Sequence, residues 1–509
     1  MTTTPADGLV IGIDIGTTST KSVAYAADGR AGPSSSVGYP LQEPAPGYAE
    51  QDPALILAAV YETVARVVAA VERPIVGLSF SSAMHSLIGL SRSGNPLTPS
   101  ITWADSRASA QAERLRLSAG GLALHRRTGT PIHPMSPLTK LMWLRDQEPE
   151  VFQRVGHWVG MKDYVLLRMC GALVTDHSLA SGTGLMDIHQ LQWDPEALHL
   201  AGISAQELPV LVPTTHVLRG LTPEAAEAMA LPADTSVVVG AGDGPLANLG
   251  LGAVHPGVAA CSIGTSGAIR VMVEQPSVDP MGGVFCYALT EARWAVGGAI
   301  NNGGVVLQWA AEALALGAAP LEALLELAAQ APVGSGGLIM LPYLLSERAP
   351  HWSALPRGAY IGLTREHGRR HLVRAALEGV CQQLALVLQS VRAAGNEVTE
   401  VRATGGFARS PLWRQMLADV LGMEIKFTTA SEGSSFGAAL LGMQALGVVE
   451  SIDVAADLVR IESTVRPEAG AAATYAALQP IFADLYDALV PTFTSLRRLA
   501  ASLPTDYPA

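Results

Sequence analysis

Apolar and polar positions alternate in two distinct periods along this chain, and the switches between them outline its elements. An apolar run from Leu9 ends at Gly16, small hydroxyl residues follow, and strand character resumes from Ser22 to Tyr25. Asp28-Gly29 then supplies a hairpin turn, so the segment reads as strand, tight turn, strand. Asp52-Pro53 through Val71 has helical periodicity, a capping aspartate and a proline in its first turn. Pro74 to Phe80, Ser236 to Gly242 and Val398 to Ala403 read as buried strands. Leu321–Ala331, Leu372–Ala393 and about Ala472–Leu499 read as helices, and the run from Ser434 as a helix with a face of small residues.

The turn after the first strand carries chemistry. Ile15-Gly16-Thr17-Thr18 reappears as Ile263-Gly264-Thr265-Ser266, about 250 residues on, close to half the chain. That spacing suits a duplicated domain better than a short repeat. Glycine lets backbone amides approach a phosphate, and hydroxyls add donors without charge. GxxxxGK[ST] is absent, which removes the P-loop reading. Asp14 lies inside the first apolar strand, where an unpaired carboxylate is costly and a magnesium ion beside phosphates would give it a reason. Asp243 follows the apolar strand Ser236–Gly242 in a glycine-rich turn. It suits a helix N-cap, and equally a general base for an alcohol.

Composition narrows the classes. The chain has 509 residues, 49% hydrophobic and 15% charged, which predicts two domains and argues against dominant disorder. Thirty-three basic against 45 acidic side chains give a net charge of −12, the wrong sign for coating nucleic acid. Backbone amides and a divalent metal can still hold a polyphosphate. Cys170, Cys261, Cys286 and Cys381 lack metal or disulfide spacing and read as reduced thiols. No run approaches ~18 uninterrupted apolar residues and no leader pattern opens the chain, so no membrane partner and a soluble, cytoplasmic protein are expected.

Two longer signatures extend this reading. They are Met135-Ser-Pro-Leu-Thr-Lys140-Leu-Met-Trp143-Leu-Arg-Asp-Gln147, and Gly358-Ala-Tyr-Ile-Gly362-Leu followed by His371-Leu-Val-Arg-Ala-Ala-Leu-Glu378. With both turns and Ala403-Thr-Gly-Gly-Phe-Ala-Arg-Ser410, the chain resembles the FGGY carbohydrate kinases over roughly residues 9 to 450. The resemblance implies an α/β fold of two actin-like, ribonuclease H-like ATPase lobes flanking a cleft, with the lobes at 1–253 and 254–509. Ser81-Ser-Ala-Met84-His85-Ser86, Thr102-Trp103-Ala-Asp105-Ser-Arg107, His133-Pro-Met-Ser-Pro, Asp176-His-Ser-Leu-Ala and Gly297-Gly-Ala-Ile-Asn-Asn302 are most similar to members acting on gluconate. Members acting on xylulose share the Met-His pair, typically followed by glycine rather than Ser86. Those acting on glycerol carry Arg-Glu where this chain has Met84-His85.

Position by position, the resemblance implies Asp243 as the base and Asp14, with Asp243, beside Mg2+. It implies Thr17, Thr18, Ser19, Gly264, Thr265, Gly303, Gly304, Gly405, Gly406 and Ser410 around ATP. Met84, His85, Trp103, Arg107 and Asp243 would meet the sugar. Gly244 stands where several relatives carry Asn or Gln. Lys162 and Asp176 read as structural, Lys140 as the partner of a carboxylate, and Arg365, Arg369, Arg370 and Arg374 as a solvated or subunit surface. The expected reaction is ATP-dependent phosphorylation of D-gluconate to 6-phospho-D-gluconate, with a homodimer left open. Alternatives are the same chemistry on xylulose or another polyol, an actin- or chaperone-like ATPase machine, and a catalytically dead sugar sensor.

Overall fold

The computed structural model describes residues 8–314, 321–428 and 433–502. Two compact units emerge, and they are not contiguous halves meeting at 253/254. The first comprises 1–256, 271–296 and 430–460, the second 257–270, 297–429 and 461–509. The chain passes from one to the other within the strands Gly267–Val273 and Arg293–Ile300.

The first unit is built on a six-stranded sheet in the order Val217–Arg219, Ser236–Gly242, Ile75–Ser82, Leu9–Ile15, Ser19–Tyr25, Ala31–Gly38. Leu9–Ile15 pairs antiparallel with Ser19–Tyr25, the strand–turn–strand expected, and Gly29 closes the next hairpin at φ 80°. Leu9–Ile15, Ile75–Ser82 and Ser236–Gly242 run parallel, side by side. Side chains alternate faces along such strands. Ile11, Ile13, Ile15, Leu78, Phe80, Val237 and Val239 therefore join Ile56, Val60, Val64 and Val67 of the helix Pro53–Ala70 in one core. Asp52 caps that helix as expected, accepting from Ala54 N at 2.8 Å. The helix is long and apolar enough to cross a membrane, and its apolar face is instead buried on this sheet.

The opposite face of the sheet is covered by Gly433–Ala445. Val10, Val23, Tyr25 and Ala241 share a core with Phe436, Ala438, Ala439 and Leu440. Small residues let backbones touch here: a Cβ at Gly12 would lie 2.1 Å from Ser435 O, and one at Gly437 2.1 Å from Leu246 O. The small-residue face read from sequence thus packs against the first unit's sheet and the helix Asp243–Gly250.

In the second unit Gly257–Ile263, Val398–Thr404 and Ile425–Thr428 are parallel neighbours, and Ile461–Val465 joins them antiparallel. The helix Arg369–Ala393 begins three residues before the periodicity suggested, and Ala469–Ser502 runs through Pro480 and Pro491. Glu378, closing the second signature, gathers Gly334 N, Ser335 Oγ, Arg374 Nε and Tyr475 Oη at 2.7–3.0 Å. Arg374 is therefore a buried ion-pair partner rather than part of a solvated patch, whereas Arg365, Arg369 and Arg370 are exposed. All four cysteines are free.

Gly437→Val should lower stability by about 1–3 kcal/mol, the usual range for overpacking, read as a lower denaturation midpoint at unchanged m-value.

Candidate active site

Three adjacent parallel strands end together in the first unit, and each delivers a candidate residue at its carboxyl end. Asp14 and Ala241 both stand level with Ser81 of the central strand, and Ile15 and Gly242 with Ser82. Asp14, the pair Met84-His85 and Asp243 therefore leave one edge of the sheet. Asp14 and Asp243 are two strand spacings apart, ~10 Å across the sheet. Ligands of parallel α/β sheets bind at this edge.

Each residue is held. Ser81 Oγ donates to Asp14 Oδ1 at 2.6 Å. Asp243 opens its helix one position inside the N-cap, which is Gly242, and its Oδ1 accepts from Gly244 N at 2.7 Å. The helix-cap role read from sequence thus falls to Gly242, leaving Asp243 half-buried at the strand end. Gly242 N donates to Ser178 Oγ at 3.2 Å, and a Cβ on Gly242 would lie 2.9 Å from Met84 Cγ. Met84 is thereby packed beside Asp243.

His85 takes φ 68°, a left-handed conformation uncommon outside glycine. Its Nδ1 lies 2.7 Å from Gly182 O. A carbonyl only accepts, so Nδ1 carries the hydrogen and the neutral ring keeps its lone pair on Nε2. Tyr287 Oη lies 3.5 Å from that nitrogen. Tyr287 has no motif around it, only the alternation of an ordinary strand, which is why sequence reading missed it.

The Gly16–Ser19 turn and the loop carrying Trp103 are tied together. Gly16 N donates to Ser19 O at 3.0 Å to close the turn, and Tyr39 Oη donates to Gly16 O at 2.7 Å. Burial pushes the Tyr39 phenol up to about 12, so it stays a donor at neutral pH. Gln51 Nε2 donates to Thr17 O at 2.6 Å and Trp103 Nε1 to Thr17 Oγ1 at 2.8 Å. Trp103 thus also braces the turn at Thr17. Thr17, Gln51, Met84, Thr102 and Trp103 line one small pocket, and Thr18 is exposed at the tip of the turn. Arg107, its side chain 6% exposed, is engaged by Asp105 at 2.7 Å and Glu50 at 2.5 Å and lies over the Tyr48 ring. Its geometry is that of a local anchor for the loop carrying Trp103.

Lys140 differs from expectation. Its Nζ donates to three main-chain carbonyls, His85 O at 2.6 Å, Thr102 O at 2.7 Å and Ile101 O at 3.2 Å, rather than bonding a carboxylate. Burial pushes its pKa down to about 7, while three carbonyls match the three protons of the charged form. Lys162 and Asp176, both fully buried, form an ion pair at 2.7 Å. Asp176 Oδ1 also caps the short helix His177–Ser181, which carries Ser178 and ends at Gly182.

In the second unit Gly303, Gly304 and Gly405 converge on the turn at Gly264–Thr265. Gly264 N donates to Ser266 O at 2.8 Å, Gly303 N to Thr265 O at 3.1 Å and Gly304 N to Gly264 O at 2.7 Å. Gly405 has φ 116°, and a Cβ there would sit 2.4 Å from Ile263 O; Gly406 faces open space. Thr265 is exposed. Ser410 is buried and caps the helix Pro411–Leu421, accepting from Trp413 N at 3.2 Å.

No group of three or more His, Cys, Asp or Glu suited to a metal occurs among the described residues. The residues present nonetheless fit magnesium, which commonly takes one or two carboxylates, waters and substrate phosphates. Asp14, a half-buried carboxylate beside the phosphate turn, meets that requirement.

The fold is that of the actin-like α/β ATPases. Residues 9–250 match the N-terminal domain of the FGGY family of carbohydrate kinases and residues 259–446 its C-terminal domain, and the chain belongs to that family. It is 42% identical to the gluconokinase of Bacillus subtilis (strain 168), over 96% of this chain and 97% of the relative. The crystal structure of gluconate kinase from Lactobacillus acidophilus superposes with a TM-score of 0.93 at 36% identity, covering 96% of this chain and all of that one. A ligand-bound xylulose kinase from the same organism gives 0.92 and 37%, with the same coverage.

Lys140→Met should leave His85 O without its donor, at about 1–3 kcal/mol, while Ile101 O and Thr102 O keep Leu87 N and Asp105 N. Thermal unfolding should shift down and KM for the sugar should rise, because the His85 and Thr102 segments lose their common anchor.

Proposed function

We propose that this kinase transfers the γ-phosphoryl group of ATP to the terminal hydroxyl of D-gluconate, giving 6-phospho-D-gluconate and ADP. The observation that carries the reading is Asp243: a half-buried carboxylate on a fixed backbone at the sheet edge shared by Asp14 and Met84-His85. The hydroxyl oxygen attacks phosphorus in line, its proton passes to the Asp243 carboxylate, and the bond to the ADP oxygen breaks. Thr17, Thr18 and Ser19, with Gly264, Thr265, Gly303, Gly304, Gly405, Gly406 and Ser410, hold the nucleotide through amides and hydroxyls. Asp14, with Asp243, would hold Mg2+, which when bound neutralises phosphate charge. Met84 and His85 meet the sugar, together with Trp103 on a loop fixed by Arg107. His85 Nε2 accepts from a hydroxyl, or once protonated donates to a carboxylate.

Gluconate is favoured over neutral sugars by the 42% identity to a gluconokinase. A second reading, the same chemistry on xylulose, draws on the near-equal likeness to the ligand-bound xylulose kinase. A cytoplasmic location and a homodimer complete the proposal; neither nucleic acid nor membrane is a partner in it.

ADP release from Mg-ATP, measured with gluconate, xylulose, ribulose, glycerol or no sugar, tests the reading. Turnover should require gluconate, and Asp243→Ala should lower kcat at least ~10²–10⁴-fold, the range for a general base. Turnover on xylulose alone would keep the chemistry and replace the substrate. Sugar-independent hydrolysis, or activity surviving the substitution, would sink the mechanism.

A further inference from the structure

One buried carboxylate in the second unit lies outside every role described above. Glu347 is fully buried, yet three donors converge on it. Its Oε1 accepts from the main-chain N–H of Asn301 and of Arg348, each at 2.8 Å, and its Oε2 from Asn302 Nδ2 at 2.8 Å. Asn302, also fully buried, cannot turn over freely. Its Oδ1 accepts from Leu345 N at 2.8 Å and its Nδ2 donates to Leu345 O at 3.1 Å. Arg348 Nε donates to Asn301 Oδ1 at 2.6 Å, closing the array.

Burying an ionisable group without such partners is costly, and packing alone needs only an apolar side chain. Burial pushes the Glu347 carboxyl up to about 7, opposed by the hydrogen bonds from Asn302, Asn301 and Arg348. The array ends one residue before Gly303 and Gly304, whose amides bond the Gly264–Thr265 turn.

We propose that Glu347 is a positioning residue for the nucleotide: its carboxylate sets the path of Asn301–Gly304 and, through it, the Gly264–Thr265 turn. The inference rests on the reading that this turn and these glycines hold ATP. It also gives the segment Ser346–Arg348 a function that neither phosphate turn revealed. An amide at position 347 would keep the shape but set an N–H against Asn302 Nδ2, which Leu345 holds in place.

The test is steady-state kinetics of the full chain with Mg-ATP and gluconate, beside thermal unfolding. Glu347→Gln should raise KM for ATP about tenfold, the size expected from one mismatched buried hydrogen bond, and leave KM for gluconate within about twofold. Gly304→Ala, whose Cβ would fall 2.8 Å from Gly264 O, tests the nucleotide reading independently. If Gly304→Ala raises KM for ATP and Glu347→Gln does not, the brace is wrong and the nucleotide reading stands. If neither moves it, the nucleotide reading falls and the brace with it. Equal rises in both KM values with a lowered unfolding temperature would mean a structural role only, and would overturn the proposal. Should Glu347→Gln not fold, Arg348→Lys, which loses the Nε bond to Asn301, decides: about a threefold rise in KM for ATP supports the brace, and no rise overturns it.

Discussion

The first unit depends on a contact in which side chains are missing. The helix Gly433–Ala445 lies close enough to the sheet and to the helix Asp243–Gly250 that Gly12, Gly250 and Gly437 would each drive a Cβ into a main-chain carbonyl, at 2.0–2.1 Å. That closeness brings a segment from late in the chain beneath the strand bearing Asp14 and the helix headed by Asp243. Interiors this dense transmit displacement, so the positions of both carboxylates follow from how those backbones seat. The composition, rich in glycine and poor in aromatics, is the sequence-level trace of this packing.

A second economy lies in how charge is handled. The chain carries an excess of acid, yet its family handles a polyphosphate. The polar groups at both turns are amides, hydroxyls and glycine-exposed backbone rather than basic side chains. Such donors are preorganised, as phosphoryl transfer demands, where positioning matters more than covalent participation. The buried cations act behind the site instead. Lys140 joins the His85 and Thr102 segments through carbonyls, and Lys162 pairs with the aspartate that caps the helix leading to Gly182.

The two units share a plan. In each, a strand runs into a Gly-Thr turn, and a parallel neighbour ends just before the next pair of candidates: Ile75–Ser82 before Met84-His85, and Val398–Thr404 before Gly405-Gly406. The repeated core at Gly16 and Gly264 thus sits at corresponding strand ends of the two units. What differs is the second strand's end, Met84-His85 in one unit and bare glycine backbone in the other.

The sequence by itself determined the elements and the family. Period-two runs, the Asp52 cap, the Asp28-Gly29 hairpin and the two turns are local features, each decided by residues within a few positions of one another. It determined too that Asp14 and Asp243 stand at strand ends. Only the tertiary structure decided what each polar side chain bonds. Trp103 reaches Thr17, Lys140 gathers three carbonyls, Arg374 is buried against Glu378, and Glu347 holds the strand end before Gly303. Apart from Arg374 and Glu378, four apart on one helix, those partners lie tens of residues away, and a hydrogen bond is selected by distance and direction in space, neither of which periodicity records. The same reason explains why the units interleave along the chain. Burial rewards whichever apolar face fits, and the face that fits the first sheet is carried by residues 433–445.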